Sequence, residues 1–178
     1  EIDVLKKIIV GIEKFSGKKY LDSANTSFMR VIADHLRAST FLISAGVVPS
    51  NKDQGYILRR LLRRSVVKMH SLNKGLDLVL SFCSICRSVI GFYPDYLNKE
   101  ISAALVDNVI KEELGKFSLA LDKGIKILEK LVKDRNSETF SGEKAFFLYE
   151  SYGFPVEVTD EMVRDYGFVD GVDKCAFE

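Results

Sequence analysis

Between residues 98 and 133 apolar side chains return every three or four positions: Ile101, Leu105, Val109, Ile110, Leu114, Phe117, Leu121, Ile125, Leu128 and Leu131. That spacing lines one face of a helix, whereas a strand would divide the same residues between two faces. This is the longest periodic stretch in the chain, and helical spacing continues on both sides of it. No segment shows the alternation of a half-buried strand. The fold class expected is therefore all-α.

The punctuation divides the rest. Ile2 to Phe15 predicts a first helix, closed by Gly17. Ser27 is placed to cap a second, running to about Ser44 and stopped by Gly46. Pro49-Ser50-Asn51 is the turn into a third, expected to start near Asn51 with Ser50 and Asp53 as a capping box. A fourth covers about 76 to 91, and Tyr93-Pro94 breaks it. "KDRNSETFSG" is a polar linker without periodicity. Beyond it come a helix at about 142 to 151, a Gly153-Phe154-Pro155 break, and a short helix from Asp160, capped by Thr159 and stopped at Gly167. The tail "FVDGVDKCAFE" is expected to be loose. The architecture predicted is a helical bundle of two lobes joined by the long helix and the polar linker: a main lobe over 1–133 and a smaller one over 134–178.

At 178 residues the chain is long enough to bury a sizeable core. Hydrophobic residues are 47% and charged residues 29%, a globular and not a disordered composition. No apolar run approaches the length of a membrane span, and the start at Glu1 is expected of a piece of a longer protein. Three cysteines make no disulfide framework, so a reducing compartment is expected. Cys83 and Cys86 form a C-x-x-C, but it lies inside an apolar helix, without a second pair and with the histidines far away at 35 and 70; it reads as two buried thiols. Glycine-rich phosphate loops and a G-x-S-x-G elbow are missing. Asp34 beside His35 does not make a dyad, since adjacent helical positions face apart. "DGVDK" resembles half a calcium loop without the remaining ligands. Nothing here constitutes an active site.

Net charge is only +1 but very unevenly spread. Residues 51 to 74 hold seven basic residues against Asp53 alone, and residues 150 to 178 hold eight acids against Arg164 and Lys174. In "GYILRRLLRR", Ile57, Leu58, Leu61, Leu62, Ser65, Val66 and Met69 form one stripe, while Arg59, Arg60, Arg63, Arg64 and Lys68 take the other side. Pairs 59/63 and 60/64 set like charges side by side, which disfavours an isolated helix by a few tenths of a kcal/mol each. Two readings remain: a face whose arginines pair with carboxylates elsewhere, or a phosphate-binding face where guanidinium forks match phosphate oxygens. The second points to nucleic acid. A helical protein-interaction module with an acidic partner is the alternative.

"RVIADHLRASTFLISAGVVPSN" followed by "GYILRRLLRR" closely resembles the middle domain of the alanyl-tRNA synthetase family. "FFLYESYGFPVEVT" resembles that family's Leu-Tyr-Asp/Glu-x-Tyr-Gly-Phe-Pro block, and "EELGKFSLALDKGIKILEKL" fits between them. The blocks stand in order and cover essentially the whole chain. One departure is Asp53-Gln54-Gly55-Tyr56, where many relatives carry Gly-Arg-Gly-Tyr; another is "SVVKMH", less basic than usual.

The resemblance implies a cytoplasmic helical domain that grips the tRNA acceptor stem, inactive alone, within a ligase that attaches alanine to its tRNA. Contacts with a catalytic domain upstream and an editing domain downstream are implied, as are ATP and magnesium in the former and zinc in the latter; this stretch itself is expected to hold no cofactor or metal and to touch no membrane. The family's tRNA is marked by a G·U wobble pair, whose guanine 2-amino group lacks a base partner in the shallow minor groove. The resemblance assigns its recognition to Asn51, which can donate and accept, and to Glu150, an acceptor. Arg59, Arg60, Arg63, Arg64 and Lys68 would then hold backbone phosphates. The segment Lys133 to Ser141 is expected to let the second lobe fold back so that Glu150 faces the third helix.

Overall fold

The computed structural model describes residues 3–133 and 137–177. Among these, seven helices and two very short strands occur: α1 (Asp3–Ser16), α2 (Ser23–Ser44), α3 (Asp53–Leu72), α4 (Leu78–Phe92), α5 (Lys99–Leu131), β1 (Thr139–Phe140), α6 (Gly142–Tyr152), α7 (Val156–Asp165) and β2 (Gly171–Val172). The fold is all-α, as the periodicity predicts. The chain divides into two units, Glu1–Gly115 and Lys116–Glu178, so the division falls inside α5. The sequence reading placed it at 133/134, in a polar segment whose residues 134–136 lie outside those described. The physical reason for the earlier division is aromatic: Phe117 meets Phe154 at 5.8 Å between ring centroids, which ties the second half of α5 to the chain after α6.

In the first unit α2 packs along α3, and α1 and α4 close on α2. Ile12, Ile32, Leu36, Leu62, Val66, Phe82 and Val89 are wholly buried there. Each removes enough apolar surface from water to contribute about 1.5–3 kcal/mol. The buried hydroxyls of Thr40, Ser65 and Ser81 donate to the carbonyls of Leu36, Leu61 and Leu78, so none needs water.

Two helix starts differ from expectation. α2 begins before Ser27, because the Asp22 carboxylate accepts the Ala24 N–H and caps it. Asn25 and Thr26 extend that turn by donating to the carbonyls of Lys19 and Tyr20. α3 begins after Asn51, with Lys52 as an N-cap that makes no side-chain cap bond. The Ser50–Asp53 capping box does not form. Ser50 Oγ instead donates to the Lys52 carbonyl at 2.9 Å and accepts the Lys52 N–H at 3.3 Å. Gly55 lets the turn lie this close: a Cβ there would strike Ser50 Oγ and the Val48 carbonyl.

In the second unit Ser141 caps α6, and Gly153 ends it at φ 70° with the Phe154 N–H returning to the Leu148 carbonyl. α7 starts behind Pro155, four residues before the expected Thr159 cap; Thr159 is buried inside the helix. Pro at this point loses nothing, since the first N–H groups of a helix have no partner within it. The tail is not loose. β1 and β2 pair in parallel, Thr139 beside Gly171 and Phe140 beside Val172. At two residues each, such strands leave no alternation to read.

Candidate nucleic-acid interface

The basic side of α3 is more engaged than a solvated face would be. Glu113, on α5, sits between Arg59 and Arg63. Its side chain is only 7% exposed, against 24% and 17% for the two arginines. Arg59 Nε donates to Glu113 Oε2 at 3.3 Å, and Arg63 Nε donates to Oε1 at 2.7 Å. Two positive charges therefore share one buried carboxylate, which relieves the i, i+4 repulsion between them.

The remaining basic residues have neighbours too. The Arg60 guanidinium lies 5.8 Å from the Tyr56 ring centroid, and Lys68 Nζ lies 4.7 Å from that of Phe28. Arg64 Nη1 approaches His35 Nε2 at 3.3 Å. A guanidinium only donates, so Nε2 accepts and the imidazole proton resides on Nδ1. That nitrogen faces Asp34 Oδ2 at 3.5 Å, nearer than adjacent helical positions were expected to come. That contact links His35 on α2 to Arg64 on α3.

Asn51 is exposed in the turn before α3. Arg59 reaches back to it: Nη1 donates to Asn51 Oδ1, and Nη2 donates to the Pro49 carbonyl at 3.3 Å. Asn51, Arg59, Arg63 and Glu113 thus form one connected group in the first unit. Arg60, Arg64 and Lys68 lie on the same helix, beside Tyr56, His35 and Phe28 respectively.

Glu150 belongs to the second unit, exposed in the last turn of α6, where no basic residue accompanies it. The helix dipole disfavours a carboxylate there by a few tenths of a kcal/mol. Beside it, Phe146 and Tyr149 pack edge-on to Phe177 at 5.8 and 5.9 Å, which fixes this turn of α6 against the tail. The tail carboxylates are occupied as well. Asp173 Oδ1 accepts the N–H groups of Cys175 and Ala176, and Asp170 Oδ2 accepts from Thr139 Oγ1. Among the described residues no group of His, Cys, Asp and Glu could hold a metal, and no helix is long and apolar enough to cross a membrane.

A groove of about 640 Å³ between α4 and α5 holds Cys83, Arg87, Asp107 and Lys111. Burial and the nearby Asp107 push the Cys83 thiol up to about 11, and burial pushes Cys86 to about 12. Both remain protonated near neutrality and are poor nucleophiles. Asp107 is held below the ordinary carboxylate range by its bond from Arg87.

Over residues 1–178 the chain matches the family described as class II (A) tRNA synthetases. It belongs to that family. The alanine–tRNA ligase of Streptococcus mutans is 37% identical over 174 residues, which is 94% of this chain and 19% of that protein. That of Halalkalibacterium halodurans is 39% identical over 184 positions, covering the whole chain and 20% of its relative. The chain therefore spans about a fifth of the length of the ligases it matches.

Sequence reasoning missed two residues that shape this candidate interface. Glu113 had a signal: it stands on the apolar stripe of α5, between Ile110 and Phe117, where an acid needs a partner. Gly55 had none that identified its neighbours, since the turn it admits comes from residues 48–50.

Proposed function

We propose that this chain grips the acceptor stem of an alanine tRNA and recognises its G·U wobble pair, within a cytoplasmic ligase that attaches alanine using ATP. The observation that carries the reading is similarity to alanine–tRNA ligases along the whole chain, with a basic helix entered through an exposed asparagine turn. Asn51 from the first unit and Glu150 from the second are the residues assigned to the wobble pair. Arg59, Arg60, Arg63, Arg64 and Lys68 are assigned to phosphates. ATP, magnesium and an editing zinc belong to parts of the ligase outside this stretch, which would not charge tRNA alone.

Glu150 opposite phosphates makes sense only where it accepts a hydrogen bond, and the unpaired guanine 2-amino group supplies one. The test is binding of the chain to two acceptor-stem duplexes, G·U and G·C at the same position, and to a polyacidic peptide, each at two salt concentrations. Expected are a preference for the G·U stem and RNA affinity falling steeply with salt. Equal affinity for both stems would remove the wobble assignment. Peptide binding as tight as RNA binding would favour a protein-interaction module.

A further inference from the structure

Only the oxygen end of the Asn51 amide can face Arg59. A guanidinium carries five N–H donors and no acceptor, so the group it meets must be Oδ1. Turned the other way, the amide would set N–H against N–H. Arg59 thus selects one of two amide orientations and leaves the two Nδ2–H donors facing away from itself.

Arg59 is in turn fixed by its other nitrogens. Nη2 donates to the Pro49 carbonyl, two residues before Asn51, and Nε donates to Glu113 on α5. Glu113 is buried and braced on its other oxygen by Arg63. The planar guanidinium therefore spans a turn, its own helix and a second helix, which a point-charge ammonium could not do. Gly55 completes the support by letting the turn rest on the first turn of α3.

We infer that Glu113 and Arg59 are positioning residues that present the Asn51 amide as an N–H donor. With one Oδ1 lone pair already taken by Arg59, its partner on the RNA is then an acceptor atom, such as a uracil carbonyl or a ribose 2′-oxygen. The inference rests on the tRNA reading above and narrows it, since Asn51 need not both donate and accept. It also moves Arg59 out of the phosphate-binding set: each of its three nitrogens already donates inside the protein.

The experiment uses the ¹⁵N-labelled chain with Arg59→Ala, Arg59→Lys and Glu113→Gln, checked for folding by thermal unfolding. The first readout is the pair of Asn51 side-chain amide resonances, without RNA. Both Arg59 variants should shift them toward the positions of a freely rotating amide, and Glu113→Gln should do so partially. The second readout is affinity for the G·U and G·C duplexes. Arg59→Ala should cut the preference for G·U roughly fivefold or more, leave the salt slope as in wild type, and cause no further loss in an Asn51→Ala background. Unchanged Asn51 resonances in folded Arg59→Ala would overturn the inference. So would an intact G·U preference with a salt slope lowered by about one unit, which is the signature of a lost phosphate contact. If wild type shows no G·U preference while the resonances respond, the wobble reading falls and the positioning of Asn51 stands.

Discussion

Two arginines each hold a turn in this chain, one through a distant acid and one through an acid on its own helix. Arg59 ties the turn at Pro49 and Asn51 to Glu113, 54 positions away on α5. Arg164 ties the turn at Val169 and Asp170 to Asp160, four positions away on α7. Asp160 completes that clasp by accepting the Val172 N–H at 2.8 Å. Gly171 must be glycine inside it, since φ is +71° and a Cβ would strike both clasp side chains. The two differ in burial: Glu113 is 7% and Arg59 24% exposed, against 17% for Asp160 and 48% for Arg164. A long-range clasp can be buried inside a unit; a local one stays at its surface, in water.

That difference predicts unequal costs. Glu113→Ala strands two half-buried arginines and should destabilise the first unit by about 3 kcal/mol, at the lower end for breaking a buried pair. Asp160→Ala should cost about 1 kcal/mol, because water can replace what is lost. Amide hydrogen exchange read separately in α3 and α7 measures both. A larger loss at Asp160 would reverse the contrast.

A second expectation sharpens the local clasp. Burial lifts the Asp160 carboxyl, but the Val172 N–H and the Arg164 guanidinium outweigh it and hold it below the ordinary carboxylate range. A folded pKa below the unfolded one gives stability that is present above the unfolded value, about 4, and lost as pH falls through the folded one. Asp160→Asn should therefore speed exchange of the Val172 amide severalfold at pH 6, after correction for intrinsic rates. The gap to wild type should close as pH drops below about 4. A gap that stayed constant would mean that the charge is not what holds the turn.

The same contrast explains how much of the molecule was legible. Helices are local, so the stripe from Ile101 to Leu131 predicted α5 to within two residues at either end. Caps were harder, because Ser27 and Thr159 have the right side chains but sit inside helices whose starts were fixed earlier, by Asp22 and by Pro155. The tail was misread although its clasp is a local Asp-x-x-x-Arg on α7, since its targets are backbone groups that no residue type announces. On the basic helix, side-chain identity gave the charges but not their partners. That Arg59 and Arg63 share Glu113 depends on how α3 and α5 meet, and no periodicity within either helix contains that information. Among the assigned residues, Asn51 stood out through the family resemblance and the turn around it; the structure adds which atom of it is occupied.

The smallest expected effect concerns a feature that both turns share. Asp53 opens α3 at φ +49°, as Gly171 opens β2 at +71°. Glycine adopts such angles freely; aspartate tolerates them better than most residues but not without cost. What aspartate adds at position 53 is a negative charge in the first turn of α3, where the helix dipole favours it by about 0.3–1 kcal/mol. Asp53→Asn keeps the tolerance for a left-handed angle and removes only the charge, so it should cost about 0.5 kcal/mol at low salt. The loss should shrink toward zero in 1 M salt, where the screening length is about 3 Å. Asp53→Gly also loses the charge but relaxes the backbone, so it should fall closer to wild type than the Asn variant. Exchange of the α3 amides at the two salt concentrations ranks all three. A salt-independent loss in Asp53→Asn would mean that position 53 acts through a hydrogen bond of its carboxylate, and that the two turns are then alike in geometry but not in what their left-handed residues contribute.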